Sequence, residues 1–519
     1  MTHPVPHHGA AGAMPDLTVA VVGGGIAGLS AAWELTSAAP GAHVVVLESG
    51  DRLGGKLHTG TIGGRDVDLG PDAFLARRPE AVVLCRELGL EDELISPGSR
   101  VAYVWARGQL RRLPAGLALG VPTRLGPLAR SGIVSPLGVG RAAVDLLGRA
   151  FPGDAGAHRA ADRTVAEITR RRLGREVTAR LVDPLIGGIH AGDTTQMSAA
   201  AVFPALLDAA ERGGSLMRAL RPTAPSATPA TMGHGAVQEG EPPVFHTVRG
   251  GLSRLVDTLG QALASRGVDV RLQTPVDRVV LHRSDSDDGD GWDGGDDDAR
   301  HARGGGARWS LHGTRGSVEA DAVVVATPAM ATAALLDPVD PALATMVRAI
   351  DYGDVTLVTL QMPEESVGHS LEGTGFLVPA DAGRLITACT WLSSKWPELH
   401  RPGDVLLRAS TGRFGDDRPA QMSDDELVRR VLDDLGPMLG LRSGPTEAVV
   451  TRWSGAFPQY ALGHTQRVSS IEDAVARLPA VALAGAAYHG VGIPACIASG
   501  RRAARTVLAG AVAVGLTTR

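Results

Sequence analysis

The stretch "VAVVGGGIAGLSAAWELTSAAPGAHVVVLESGDRLGGK" (19–56) decides the fold. It opens on a short apolar, β-branched run, 19–22, which predicts a buried strand. Three glycines follow in G-x-G-x-x-G spacing, and residues 29–35 then take helical spacing. A second apolar run ends at Glu48, 20 residues after the third glycine. Together these features predict the strand–turn–helix–strand unit that binds a dinucleotide.

Each glycine of the triplet has a physical task. Gly23 allows the tight turn, Gly25 lets the backbone approach a pyrophosphate, and Gly28 lets the helix pack close to the strand. The phosphates then face free N–H groups at the helix N-terminus. Glu48 can hold a ribose diol but would repel a 2'-phosphate, which argues against NADP. The alternative is a glycine-rich turn in an ordinary α/β protein, and the agreement of all four features disfavours it.

Composition bounds the classes of protein that the chain can belong to. Its 519 residues suit two or three domains, and 44% apolar residues can fill a sizeable core. Neither a run of about 18 apolar residues nor a signal peptide pattern is present, and the few cysteines suit a reducing compartment, so we expect a cytoplasmic protein. Three cysteines without C-x-x-C spacing exclude a disulfide scaffold or zinc ribbon, and we expect no bound metal.

The charge pattern gives no field for nucleic acid. The net charge is −5, and eight aspartates crowd into residues 285–298. The surrounding insertion, 284–307, predicts disorder and lacks the pattern of a calcium loop. A second segment, 221–243, is rich in Pro, Thr, Ala and Gly and predicts a mobile loop.

The C-terminal segment distinguishes between dinucleotides. "VALAGAAYHGVGIPACIASGRRAARTVLAG" (481–510) predicts a strand, a glycine loop and a helix that begins after Pro494. That helix would aim its N-terminus at a second electron-rich group, as a reduced flavin requires, so the pattern favours FAD. A second G-x-G-x-x-G is missing, which disfavours recharging by NAD(P)H. The expected acceptor is therefore oxygen or a quinone, and the expected enzyme an oxidase.

The same pattern divides the chain. We expect an α/β protein whose Rossmann-like, glutathione-reductase-type FAD-binding domain is built from discontinuous segments, 14–95, 245–330 and 451–519. Residues 331–450 predict an antiparallel-sheet substrate domain with a covering helix, and 96–244 a helical subdomain that also contributes to the substrate site. Weakly amphipathic helices at 123–150 could face a membrane surface, although a subdomain packed on itself is the commoner outcome.

Several motifs together resemble one family. "ESGDRLGGK" resembles the flavin-containing amine oxidase superfamily. "DVDLGPDAFL", "GQLRRLPAGLALGVPT", "TACTWLSSKWP", "RWSGAFPQYALGH" and "GAAYHGVGIPACIASG" are similar to its porphyrinogen oxidase branch, over residues 17–510. The resemblance implies FAD and the oxidation of coproporphyrinogen or protoporphyrinogen to the porphyrin in haem synthesis.

The resemblance also implies roles for individual residues. Arg100 matches a position proposed to bind a propionate, although a surface arginine at a strand end is the alternative. Gly188 matches a backbone carbonyl near the reacting ring. Core packing is the alternative for Val276, at the adenine position, and for Trp453, near the flavin. The remaining cofactor positions are Gly23, Gly24, Gly25, Ile26, Ala27 and Gly28 at the pyrophosphate, Glu48 and Ser49 at the ribose, Lys56 beside the cofactor, Gly70, Pro71, Asp72 and Ala73 along the isoalloxazine, and Val491, Gly492 and Ile493 at the pyrimidine edge.

The implied reaction removes six electrons in three cycles, each reoxidised by O2 to give H2O2. The substrate's own pyrrole N–H groups can release protons, so no catalytic acid or base is expected, and none is identified. Coproporphyrinogen III is favoured over protoporphyrinogen IX because the chain lacks a strong membrane anchor, and by analogy with bacterial forms. Another amine oxidase is disfavoured by an aromatic content of 3%, and a desaturase or a non-catalytic flavoprotein carrying porphyrin are further alternatives.

The expected partners follow from the same resemblance. They are the porphyrinogen, O2 and, by pathway logic, a transient contact with ferrochelatase. The chain is expected to be a monomer or homodimer, and peripheral contact with the inner face of the cell membrane stays open.

Overall fold

The computed structural model describes residues 17–148, 162–221, 243–282 and 308–513. The insertion at 284–307 and residues 222–242 of the predicted mobile loop lie outside the described residues. Strands are numbered β1 to β22 and α-helices α1 to α19 along the chain.

A parallel sheet forms the centre of the cofactor-binding region. Its strand order is β12-β2-β1-β16-β22, so strands far apart in sequence lie side by side. The middle strand β1 pairs with a neighbour on each side, which explains its nearly continuous apolar run. The prediction of an α/β fold built from discontinuous segments is therefore confirmed. The strands are β1 (Thr18–Val22), β2 (His43–Leu47), β12 (Asp269–Arg271), β16 (Ala322–Val325) and β22 (Val481–Leu483).

Two helices cross closely on one face of this sheet. The predicted C-terminal helix begins at Ile493, one residue before Pro494. A Cβ on Gly500 would lie 2.0 Å from the Ala27 carbonyl oxygen, so glycine allows the backbones to touch. The helices of this face are α1 (Ile26–Ala38), α2 (Pro79–Glu87), α11 (Ser253–Ser265) and α19 (Ile493–Ala513), with α18 (Ala486–His489) before α19.

A three-stranded antiparallel sheet covers the other face. Its Trp309 and Leu311 pack against Val45 and Val323 of the parallel sheet. This layer brings the chain after β12 across the sheet and back into β16. Its strands are β13 (Arg278–His282), β14 (Arg308–Gly313) and β15 (Gly316–Ala320), and the helices beside it are α12 (Ala329–Leu336), α13 (Pro341–Arg348) and α17 (His464–Val475).

A seven-stranded sheet forms the second large layer. Its order is β21-β17-β20-β19-β18-β7-β8, antiparallel except for the pair β18–β7. Helix α16 packs Leu427 and Val431 against the sheet residues Val358 and Leu360, as predicted for a covering helix. The elements are β7 (Tyr103–Ala106), β8 (Gln109–Arg112), β17 (Tyr352–Pro363), β18 (Gly375–Leu377), β19 (Ile386–Trp391), β20 (Asp404–Thr411), β21 (Glu447–Pro458), α14 (Leu392–Lys395), α15 (Arg418–Gln421) and α16 (Asp424–Leu439).

The helical subdomain has a core of its own. Asp145 is fully buried there against Arg172, and it accepts hydrogen bonds from the backbone N–H groups of Leu216 and Met217. None of the helices in the described ranges has the length and apolar character needed to span a bilayer. The helices are α3 (Leu125–Ser131), α4 (Pro136–Ala143), α5 (Val165–Leu173), α6 (Arg175–Val177), α7 (Asp183–His190), α8 (Ala199–Val202), α9 (Pro204–Arg212) and α10 (Leu216–Ala219).

The predicted domain boundaries stay a prediction. Strands β7 and β8 come from the 96–244 segment and join the seven-stranded sheet, and β21 spans the 450/451 boundary. Short pairs connect the layers. They are formed by β3 (Thr59–Ile62) with β4 (Arg65–Asp68), by β5 (Phe74–Leu75) and β6 (Leu94–Ile95) with β11 (Phe245–Val248), and by β9 (Leu117–Ala118) with β10 (Val121–Pro122).

Candidate active site

The glycine loop joins β1 to α1. Gly23 has a φ of 107°, and its N–H donates to the Leu47 carbonyl at 2.8 Å. A Cβ on Gly28 would lie 1.9 Å from the Gly23 carbonyl oxygen, whereas a Cβ on Gly25 would meet no protein atom within 4 Å. The first and third glycines are thus required by the protein's own packing. The second borders open space at the N-terminus of α1, which suits a pyrophosphate.

Glu48 braces this loop. One carboxylate oxygen accepts from the Gly24 N–H at 2.6 Å. The other accepts from the Gly50 N–H at 2.7 Å and from the Ser49 hydroxyl at 3.2 Å. The role of Glu48 and Ser49 at a ribose stays a prediction.

The residues just before Val276 are hydrogen-bonded to the backbone of Glu48 and Gly50. The Thr274 N–H donates to the Glu48 carbonyl at 2.8 Å, and the Gln273 N–H donates to the Gly50 carbonyl at 2.7 Å. The Val276 side chain is half-buried against the antiparallel layer. The structure therefore brings Val276 to the strand end where an adenosine is expected, together with the packing role given as its alternative.

Lys56 lies between the glycine loop and the 70–73 run, close to Cys496 of α19. A Cβ on Gly55 would lie 3.4 Å from the Gly25 Cα, and one on Gly70 would lie 2.2 Å from the Lys56 carbonyl oxygen. Burial lowers the pKa of Lys56, and the Cys496 thiol of α19 partly offsets this effect. The same burial raises the pKa of the Cys496 thiol to about 11.

Side chains of the seven-stranded sheet fix the backbone at the start of the run from Gly70 to Ala73. Arg408 donates to the carbonyl of Asp68 at 2.7 Å and to that of Gly70 at 3.1 Å. Trp453 Nε1 donates to the Leu69 carbonyl at 2.8 Å. The Gly70 backbone is thereby fixed in place, with the half-buried Trp453 ring beside it.

The Asp72 side chain anchors the same run. One of its oxygens accepts from Lys395 Nζ at 2.8 Å and from Trp396 Nε1 at 3.1 Å, and the other lies 3.2 Å from an Arg408 nitrogen. Burial raises the pKa of Asp72, but Lys395 and Arg408 outweigh it and leave the pKa well below its usual range. These side-chain contacts leave the backbone of Asp72, with Pro71 and Ala73, for the predicted isoalloxazine contact.

Sequence reasoning missed the two cations of this anchor. Lys395 is one of two lysines in the chain and lies within "SSKWP", so its rarity was an available signal. Arg408 is a buried charge that follows the apolar residues 405–407 in "DVLLRAST", and such a charge requires a partner.

The C-terminal loop approaches the site from the other side. Val491, Gly492 and Ile493 lead into α19, and the Cys496 N–H is hydrogen-bonded to the Gly492 carbonyl at 3.0 Å. Gly500, two helical turns further on, touches the first turn of α1. The N-termini of α1 and α19 therefore flank one region, as the two electron-rich ends of a flavin dinucleotide require.

The predicted substrate residues lie near the strand pair β7–β18 of the seven-stranded sheet. Gly188 is exposed on α7, and a Cβ there would lie 3.8 Å from a methyl group of Leu377 in β18. Arg100 precedes Val101, whose carbonyl accepts from the Thr374 N–H at 2.8 Å, just before β18. Both residues thus lie near the strand pair β7–β18, and their roles stay a prediction.

The histidine near this strand pair is uncharged at neutral pH. Burial lowers the pKa of His190, at the end of α7, to about 4. Its Nδ1 is buried without a hydrogen-bond partner among the described residues. Within the same ranges no group of three or more His, Cys, Asp or Glu side chains is arranged to hold a metal ion.

Comparison with known proteins agrees with this geometry. The family model of flavin containing amine oxidoreductases matches residues 26–508. The coproporphyrinogen III oxidase of Bacillus subtilis is 32% identical over 94% of this chain and 97% of its own length. That of Propionibacterium freudenreichii is 34% identical over 95% and 91%. A solved structure from Exiguobacterium sp., assigned to protoporphyrinogen oxidase, has a TM-score of 0.78 and 29% identity over 95% of this chain and 99% of its own.

The fold, the paired helix N-termini and the glycine loop define a flavin-dependent oxidoreductase. The chain belongs to the flavin containing amine oxidoreductase family, and FAD is its cofactor. The residues fit this group, because Gly25 leaves room at the N-terminus of α1 and the 70–73 run is fixed by Arg408, Lys395 and Trp453.

Proposed function

We propose that this chain catalyses the FAD- and O2-dependent oxidation of coproporphyrinogen III to coproporphyrin III in haem biosynthesis. Similarity to coproporphyrinogen III oxidases over nearly the whole chain carries this proposal. The substrate loses six electrons and six protons, and three O2 become three H2O2. Bound FAD supplies the two-electron acceptor that O2 reoxidises.

The chain's own residues serve to hold and shield the substrate. The carbonyl of Gly188 and the fork of Arg100 are the proposed contacts for the reacting ring and a propionate. His190 stays neutral above about pH 4, so it adds no charge to the wall of the site. Proton release is left to the pyrrole N–H groups, so positioning in a water-poor pocket is the main task of the protein.

Replacement of Arg100 tests the propionate contact. In Arg100→Ala the KM for coproporphyrinogen should rise about tenfold or more, since a charge-assisted hydrogen bond is lost, while the FAD content stays unchanged. Arg112→Ala, at an exposed position of β8, is the matched control and should leave KM unchanged. An unaltered KM in Arg100→Ala would remove Arg100 from the substrate site.

A polyamine separates the proposal from other members of the family. With coproporphyrinogen III we expect three H2O2 for each porphyrin formed, and with a polyamine no turnover. Oxidation of the polyamine without oxidation of the porphyrinogen would favour an amine oxidase. A bound flavin with neither reaction would favour a porphyrin carrier.

Protoporphyrinogen IX is the second candidate substrate. The human protoporphyrinogen oxidase is 30% identical over 95% of this chain and 98% of its own length, which supports testing it. Protoporphyrinogen IX has two propionates, whereas coproporphyrinogen III has four. We expect kcat/KM to be higher for coproporphyrinogen, and the reverse order would transfer the proposal to protoporphyrinogen.

Peripheral membrane contact is proposed for one helix surface. Leu137, Val144 and Leu147 are 87%, 41% and 68% exposed along α4 and the turn after it. Exposed Arg124 directly precedes the neighbouring helix α3 and exposed Arg130 lies on it, where anionic headgroups would attract them. Co-sedimentation with anionic vesicles should fall in Leu137→Ser/Leu147→Ser, and an unchanged bound fraction would reject this surface. The contact with ferrochelatase and the monomer or homodimer state stay predictions.

A further inference from the structure

The segment between β21 and α17 contains the motif "PQYALGH", to which the proposed function gives no role. Gln459, Tyr460 and His464 are buried, with 5%, 3% and 2% of their surfaces exposed. Burial of three polar side chains is costly unless each finds a partner. Their partners lie on two different elements of the candidate active site.

Tyr460 holds the flavin-facing loop. Its hydroxyl donates to the Ala486 carbonyl at 2.6 Å and accepts from the Gly490 N–H at 2.7 Å. These two atoms lie at the beginning of α18 and directly after its end. One hydroxyl therefore closes the turn that leads into Val491 and α19.

His464 supports Tyr460 and holds the same turn at a third point. The two rings stack with centroids 4.0 Å apart and an interplanar angle of 14°. His464 Nε2 lies 3.2 Å from the Tyr488 carbonyl oxygen, which can only accept, so Nε2 carries the proton. Burial lowers the pKa of His464 to about 4, which keeps the ring neutral.

Gln459 holds the substrate-facing helix. Its side-chain amide donates to the His190 carbonyl at 3.2 Å and to the Phe457 carbonyl at 3.0 Å. His190 is the last residue of α7, two residues after Gly188. The Ser198 N–H, which follows α7, also donates to the Tyr460 carbonyl at 2.8 Å. The adjacent residues Gln459 and Tyr460 thus contact the end of α7, on the substrate side, and the turn at α18, on the flavin side.

We propose that Gln459, Tyr460 and His464 are positioning residues that fix the end of α7 relative to the loop at the flavin. The part that concerns the loop rests on FAD alone, and the part that concerns α7 rests also on the proposed function. Hydride transfer depends steeply on the approach of donor and acceptor, and a misplacement of about 1 Å can cost roughly a hundredfold in rate. The hydrogen bonds of Gln459 and Tyr460 connect the end of α7 to the loop at the flavin and so limit such a displacement.

Tyr460→Phe tests the flavin side of the link. The ring and its stack on His464 remain, while both hydrogen bonds of the hydroxyl are lost. We expect a shifted flavin midpoint potential and visible spectrum, and a kcat for coproporphyrinogen lowered about tenfold or more with little change in KM. Thr169→Val is the matched control, because the Thr169 hydroxyl is also buried, donates to the Val165 carbonyl at 2.9 Å and accepts from Thr178 at 3.0 Å.

A potential, spectrum and kcat in Tyr460→Phe that equal those of Thr169→Val would overturn the flavin side of the proposal. Gln459→Met tests the substrate side and keeps the inference testable if Tyr460→Phe does not fold. We expect a KM raised several-fold with an unchanged potential, and an unchanged KM would overturn that side. The flavin midpoint potential is measured without porphyrinogen. If coproporphyrinogen is not the substrate, the potential of Tyr460→Phe still shifts, whereas if the link to the flavin loop does not exist, the potential stays unchanged.

Discussion

A cluster of buried charged side chains fixes the backbone beside the predicted cofactor site. Asp72 is paired with Lys395 and Arg408, and the three side chains are at most 15% exposed. The Arg408 guanidinium also holds the Gly70 carbonyl. Removing one charge from such a cluster leaves the others buried without compensation.

Asp72→Asn should therefore lower the free energy of unfolding by about 3 to 5 kcal/mol and weaken FAD binding. Denaturant titration and the FAD dissociation constant measure the two effects. Asp66→Asn is the control, because Asp66 is exposed on the neighbouring strand and should change stability by less than about 0.5 kcal/mol. A variant Asp72→Asn with wild-type stability and FAD affinity would contradict the anchoring role of the carboxylate.

Two glycines of the loop should respond differently to the same added methyl group. Gly25 has an extended backbone, and its Cβ would meet no protein atom within 4 Å, whereas a Cβ on Gly28 would lie 1.9 Å from a carbonyl oxygen. Gly25→Ala should keep the melting temperature of the apoprotein and lose FAD affinity, since the methyl group fills the space for phosphate. Gly28→Ala should lower both. Undiminished FAD binding in Gly25→Ala would show that the pyrophosphate does not approach there.

At the scale of elements, strands and helices with a strong period could be read from the sequence. The first strand–turn–helix–strand unit, the C-terminal helix and the covering helix α16 lie where the pattern predicts them. The join of β7 to β18 could not be predicted, because residues 104 and 377 meet only through tertiary packing. Similarly, the G-x-G-x-x-G spacing reveals the phosphate loop, but no local pattern shows that Arg408 would reach the Gly70 carbonyl.

At the scale of the whole molecule, burial of neutral histidines links stability to pH. The pKa of His464 is lowered to about 4 by burial, whereas the unfolded chain has the ordinary value near 6.5. The unfolded state therefore binds more protons between these values. The stability from this group is complete above pH 6.5 and is lost as the pH falls toward 4, by about 1.4 kcal/mol per unit.

His464→Phe should thus flatten the fall of the melting temperature between pH 7 and pH 5. Phenylalanine keeps the stack on Tyr460 but does not titrate. The variant is therefore less stable than the wild type at pH 7, and its melting temperature falls less between pH 7 and pH 5. Asp68 acts in the opposite direction, because burial raises its pKa to about 6 and its contribution is lost as the pH rises through that value. The exposed His400→Gln is the control and should keep the wild-type slope. An equal slope in His464→Phe would contradict the neutral burial of this ring.

The proposed reaction depends on all layers together, and anaerobic mixing tests it most directly. The purified flavoprotein is mixed without oxygen with coproporphyrinogen III and, separately, with protoporphyrinogen IX, and the absorption of oxidised flavin is followed. We predict fast bleaching by coproporphyrinogen III, slower bleaching by protoporphyrinogen IX, and porphyrin fluorescence after air is admitted. Absence of bleaching by both compounds would contradict a porphyrinogen oxidase.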